Sequence, residues 1–198
     1  LALFHEQHPR ATLTINVSAS TEVARLVREK RASFGLGLVS NRDPALDYTM
    51  VYREFFGFFC GPRHRMFGQS GLTLADLKGE PSVSFQTDHI ADALRPVALL
   101  RSEARLSPDV VGTSSSLEEV RRMIITGLGI GPLPLHVARR EIDDGLLWRL
   151  PPYDNPPAID VFLIQNPETN LNKAEKAMLA GLKGLIASTP LEKRIYGD

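Results

Sequence analysis

The chain has 198 residues, 43% of them hydrophobic, and its 23 Lys plus Arg balance 23 Asp plus Glu to a formal net charge of zero. This length and apolar content suit one or two packed domains and exclude a disordered segment. The neutral balance argues against a surface that grips nucleic acid through its phosphates, which needs a basic surplus.

Leu1–His8 carries apolar residues on one helical face and stops at Pro9. Ala11–Ala19 alternates, with Leu13, Ile15 and Val17 between Thr12, Thr14, Asn16 and Ser18, which predicts a strand. Ser20 and Thr21 offer an N-cap to a helix over Glu22–Lys30, where Val23, Leu26 and Val27 recur at helical spacing. Phe34–Val39 reads as a second short strand, followed by strands at Tyr48–Arg53 and Glu54–Cys60 and a break at Gly61-Pro62. Leu74–Leu77 is a short helical turn and Pro81–Phe85 a strand. Gln86-Thr87-Asp88 then caps a helix over about Ile90–Glu103.

Val110-Val111 is a strand, and Thr113–Ser116 opens a helix that ends at Gly127. There Ser115 with Glu118, or Ser116 with Glu119, fits the capping-box pattern. Gly129–Leu133 is a strand closed by Pro134, and a helix follows near Leu135–Glu141. Strands at Leu146–Arg149 and Ile159–Ile164 and a helix over Lys173–Ile186 complete the pattern, with the Pro-rich 151–157 run as an ordered connection. Strands alternating with helices predict an α/β fold whose sheets are parallel and covered on both faces.

The residues offer little chemistry. Cys60, the one cysteine, cannot form an intrachain disulfide, which fits a reducing compartment, and its apolar neighbours mark it as an inert core thiol. No apolar stretch approaches the roughly 18 residues of a membrane helix. Gly127-Leu128-Gly129-Ile130-Gly131 has Pro132 where a dinucleotide fingerprint needs its third glycine, and it leads from helix to strand instead of the reverse. His5 and His8 are three apart, not the four of a zincin helix, and no G-x-S-x-G elbow is present. No catalytic residue, metal ligand or cofactor site is expected. What does recur is one device: hydroxyl-rich segments at Ser18–Thr21, Gln86–Asp88 and Thr113–Ser116, each before an expected helix. Exposed N–H groups at helix N-termini with hydroxyls beside them make anion sites.

Several segments in fixed order carry a family resemblance. Leu3-Phe4-His5-Glu6-Gln7-His8-Pro9, Tyr52-Arg53-Glu54 with Gly61-Pro62-Arg63-His64, and Leu72–Pro81 each match a recurring motif. The most specific is Val120–Pro134, and Glu141–Leu150 follows at the right spacing. Together they resemble the effector-binding domain of LysR-type transcriptional regulators. Arg65 replaces a usual proline, and Phe34–Leu38 lacks the family's aspartate.

The resemblance implies a fold like the type 2 periplasmic binding proteins: two Rossmann-like lobes joined by two crossover strands. Lobe I would be residues 1–62 plus 166–198 and lobe II residues 63–165. It also implies a strand before Leu1 and, further upstream, an N-terminal winged helix-turn-helix domain through which alone DNA would be bound. By position, the effector contacts would be Ser20, Thr21, Phe85, Gln86, Thr87, Asp88, His89, Thr126, Gly127, Leu128, Gly129, Ile130 and Pro132. The implied partners are a small effector, a carboxylate or similar anion, and a second copy of the chain. A homodimer is expected, a tetramer in the full-length protein, in the cytoplasm and away from membranes. Two other readings share the fold. A solute-binding protein of an uptake system would need a secretion signal, and an enzyme such as a deaminase or dehydratase would need an acid, base or nucleophile in the cleft.

Overall fold

The computed structural model describes residues 1–197. In chain order it contains α1 (Ala2–Gln7), α2 (Ser20–Arg28), β1 (Gly35–Leu38), β2 (Asp47–Cys60), a 3-10 turn at Leu74–Leu77, β3 (Ser82–Phe85) and α3 (Arg95–Glu103). These are followed by β4 (Val110–Ser114), α4 (Leu117–Ile125), β5 (Gly131–Pro134), α5 (Leu135–Asp143), β6 (Trp148–Leu150), β7 (Ala158–Gln165) and α6 (Lys173–Ser188). A second 3-10 turn at Leu191–Arg194 leads into β8 (Ile195–Tyr196).

The two strands expected at Tyr48–Arg53 and Glu54–Cys60 are one, the 14-residue β2, which absorbs an irregularity between Met50 and Tyr52 without breaking. β7 runs antiparallel along it from Asp47↔Gln165 to Phe55↔Ala158, and β1 adds to the far edge of β7. Beyond Phe55, β2 leaves β7 and pairs instead with β5 on one side and β6 on the other. One strand therefore serves two packing units. Its first half joins β1 and α2, and its second half joins the β3–β6 region.

The sheets are not parallel as expected. Only β2–β8, β3–β4 and the isolated Ser82–Ile130 bridge are parallel among the described pairings, and the rest are antiparallel. β2 and β7 run in opposite senses, and β1, β5 and β6 each lie antiparallel to the strand they border.

Four local expectations also give way. Ala11–Ala19 forms no strand, and its alternating Leu13, Ile15 and Val17 stand 44%, 67% and 80% exposed. Alternation yields a strand only where a neighbouring edge completes its hydrogen bonds, and none of the described strands pairs with it. α2 begins at Ser20, not Glu22, because the Ser20 hydroxyl accepts from the Leu38 N–H at 3.0 Å and is not a cap. α3 begins at Arg95, since Pro96 fits only a helix's first turn, and residues 86–94 are turns. Thr113 and Ser114 end β4, leaving α4 to start at Leu117. Neither capping box closes there, because Glu118 and Glu119 are held by Arg121 and Arg122.

Three apolar clusters fix this arrangement. Val27, Leu46 and Ile164 pack α2 and the β2 approach onto β7. Phe56, Phe59, Val83, Leu94, Ile124 and Leu133 bind the second half of β2 to β3, α4 and β5. Phe58, Cys60, Met66, Leu77, Ile130 and Leu150 form the third cluster, where burial pushes the Cys60 thiol up to about 12. The end of β2 also abuts the last turn of α4. A Cβ at Gly61 would stand 2.4 Å from the Ile124 carbonyl oxygen and 2.5 Å from that of Ile125. Backbone cannot yield as a side chain can, so Gly61→Ala is expected to destabilise the fold by about 1–3 kcal/mol. A lower urea midpoint at unchanged slope is the readout.

Candidate functional site

Strand alternation turns Tyr52, Glu54 and Phe56 to one face of β2, while Arg53 points away and pairs with Asp160 of β7 at 2.7 Å. Tyr52, Glu54 and Phe56 form, with Val161 of β7, the floor of a cavity of about 240 Å³. One wall is the approach to α2 (Ser18, Ala19 and Ser20) with Leu36, Gly37 and Leu38 of β1. The facing wall is Phe85, Thr87, Leu94, Ser115 and Leu117, contributed by β3 and the starts of α3 and α4. The walls come from different packing units, and β2 and β7 are what they share.

Two features give the cavity polarity. First, α2 and α4 both direct N-terminal ends at it, and neither has a side-chain cap, so unpaired N–H groups and the positive ends of two helix dipoles face the space. Second, Glu54 is the one charged residue in the lining, and it is only 7% exposed. Its carboxylate accepts no hydrogen bond among the described residues, and His136 Nε2 stands 4.0 Å from it. Burial pushes the Glu54 carboxyl up to about 7. Burial likewise lowers His136, whose Nδ1 has no partner, which disfavours its charged form as a counter-charge to the carboxylate. Tyr52 is raised to about 12, by burial first and then by the charge of Glu54. Tyr196 of β8 stacks beside both Tyr52 and His136, at ring distances of 5.4 and 5.3 Å.

Of the residues expected to bind, the cavity brings together Ser20, Phe85 and Thr87. Thr21, Gln86 and His89 are exposed and outside it. Asp88 is buried with Ser84, 3.0 Å away, and Arg101, and burial pushes its carboxyl up against the pull of that guanidinium. The turn after α4 is also elsewhere. The Thr126 hydroxyl donates back to the carbonyls of Arg122 and Met123, Gly127 ends the helix at φ +83, and Leu128 is exposed. Gly129 packs on the Pro81 carbonyl, Ile130 is fully buried, and Pro132 pairs with Phe58. The physical reason is the length of α4: nine residues put its last turn about 13 Å from the N-terminal end at the cavity.

Sequence reasoning missed Tyr52, Glu54, Phe56, the Leu36–Leu38 wall, Leu94, Leu117 and Val161. One signal was available, a glutamate held in phase with Tyr52 and Phe56 inside an apolar strand. A second cavity, about 270 Å³, lies between α5 and the chain's end and is lined by Leu135, His136, Arg139, Ile142, Asp143, Arg149 and Gly197. Among the described residues no group of three or more His, Cys, Asp or Glu is placed to hold a metal, and no helix is long and apolar enough to cross a membrane.

Comparison with known proteins agrees with this architecture. The family described as the LysR substrate binding domain matches residues 1–186. An uncharacterized HTH-type transcriptional regulator, YwbI of Bacillus subtilis (strain 168), is 25% identical over 137 residues, 69% of this chain and 44% of that protein. The match thus spans less than half of that relative's length. The regulatory domain of HypT from Salmonella typhimurium in its apo form superposes with a TM-score of 0.72 at 20% identity, covering 95% of this chain and 89% of that one. The effector binding domain of QuiR in complex with shikimate superposes at 0.74 with 12% identity, covering 94% and 88%. Both show the fold: that of a two-lobed, type 2 periplasmic-binding-protein-like domain.

Glu54 gives the site a pH signature. Its folded pKa of about 7 lies above the ordinary 4.5, so its contribution to stability is fully present below about 4.5 and is lost as pH rises through about 7. The Glu54→Gln variant should lack this loss, which is on the order of 3 kcal/mol. Urea denaturation at pH 4.5 and pH 8 should therefore show the variant gaining on the parent at the higher pH.

Proposed function

The chain belongs to the LysR substrate binding domain family, and we propose that it senses a small effector in the cavity over β2 and β7 and passes the signal to a transcriptional regulator's DNA-binding part. The observation that carries this reading is the composition of the cavity walls. Residues 18–20 and 36–38 face residues 85–87 and 115–117 across a floor of only two strands. A molecule touching both walls prefers one separation of them, and that preference shifts the population of closed forms.

On this reading the lobes are residues 1–62 with 166–198, and 63–165, joined through β2 and β7. Ser20, Thr87 and Ser115 with the free N–H groups of α2 and α4 suit a carboxylate or similar small anion. A relative in the fold, QuiR, is solved in complex with shikimate, which supports a small acid as the ligand class. At about 240 Å³ the cavity falls below the roughly 300–1,000 Å³ of drug-sized sites, so the effector is compact. Domains of this kind would pair as homodimers, and closure would alter how the pair, and the tetramer of a full-length cytoplasmic regulator, presents its winged helix-turn-helix domains to DNA. No residue of the cavity is assigned a catalytic step.

A thermal-shift screen of small organic acids tests this, because a ligand that binds only the folded state raises the melting temperature. Among the described residues, Thr87 hydrogen-bonds only through its backbone carbonyl, which accepts from the Leu94 N–H at 3.4 Å. Thr87→Val should therefore abolish or sharply reduce the shift by a binding acid while leaving the unliganded melting temperature within about 2 °C of the parent. An unchanged ligand response would remove this wall from the site.

A further inference from the structure

The cavity's hydroxyls and helix ends account for an acid group, but not for Glu54. A carboxyl at nine-tenths burial ordinarily carries hydrogen bonds or a cation, because burying it bare is costly. Glu54 has neither. It accepts no hydrogen bond among the described residues, and the His136 imidazole 4.0 Å away is one whose charged form burial disfavours. The other titratable groups around it are the phenols of Tyr52 and Tyr196, and the only cation on its own strand nearby, Arg53, is turned away onto Asp160. The walls add hydroxyls and apolar groups but no Lys or Arg. Yet Glu54 lines the cavity, within reach of a bound molecule.

We infer that Glu54 is the specificity-determining residue of this cavity, and that the effector carries a protonated amine that donates to the Glu54 carboxylate while its acid group lies at the N-terminal ends of α2 and α4. This rests on the reading of the cavity as the effector site. The ligand class is a small amino acid or a close relative. A hydroxyl in place of the amine would leave the buried carboxylate without a counter-charge, whereas an ammonium supplies one and makes ionisation favourable in place. Binding near neutral pH then expels the proton that burial holds on Glu54, so affinity rises with pH.

The test uses a panel of amino acids, each paired with the analogues that carry hydrogen or hydroxyl in place of the ammonium, read by thermal shift and calorimetry. The amino member of at least one pair should bind, with its deaminated and hydroxy analogues at least roughly thirtyfold weaker. Affinity should rise about tenfold between pH 6 and pH 8. Glu54→Gln should lose the amino compound by a similar factor while keeping its unliganded fold, and Glu54→Asp should retain part of the affinity. Analogues that bind as well as their amino partners, or an unchanged affinity in Glu54→Gln, overturn the assignment of Glu54. If those analogues still lose binding in Thr87→Val, the cavity remains the site and only this inference falls. If neither variant alters any binding, or if no amino compound binds, the inference is wrong. A panel acid bound indifferently to both variants also removes the cavity itself.

Discussion

The antiparallel pairing of β2 with β7 is the constraint on which the rest of the structure depends. Eight paired positions, from Asp47↔Gln165 to Phe55↔Ala158, hold two strands from distant parts of the chain in one register. A slip of one residue would turn Tyr52, Glu54 and Phe56 out of the cavity and bring Arg53 and Phe55 in, because side chains alternate along a strand. The Arg53–Asp160 pair guards the register on the opposite face. That β2 continues beyond β7 to pair with β5 and β6 lets a single strand carry both cavity walls.

This arrangement explains why the floor is chemically different from the walls. The walls end in loops and helix starts, which leave N–H groups and hydroxyls facing inward. The floor is sheet, whose backbone groups are spent on the ladder, so its only chemistry is in its side chains. Glu54 is thus a polar side chain among apolar ones, set where water is scarce and where Phe56 stacks edge-on to Phe85 at 6.2 Å. Burial raises its affinity for a proton, and the same burial makes any partner it meets count for more.

Much of the architecture was legible in the sequence because it rests on local signals. The period of α4 and its stop at Gly127, the α5 helix after Pro134 and the strand at Pro81–Phe85 were all readable from spacing and turn residues. What could not be read was pairing. The run around Leu13, Ile15 and Val17 has a strand's alternation, but a strand also needs an edge. Parallel sheets followed from alternating elements, yet the sense of each pair is decided by where β2 and β7 run. The candidate site suffered from the same limit. Ser20, Phe85 and Thr87, expected from hydroxyl-rich or family-placed segments, line the cavity, whereas Gly127 and Gly129, expected from a motif, lie at the other end of α4. Glu54 is adjacent to none of these in sequence and joins them only through the β2–β7 register.

Amide hydrogen exchange, with and without the small molecule that stabilises the chain most, tests most directly whether the β2–β7 cavity is where the chain senses a ligand. The account predicts slowed exchange in residues 18–21, 36–38 and 85–87 and at the start of α4, with little change around α5. Protection centred instead on residues 135–149, beside the second cavity, would contradict it.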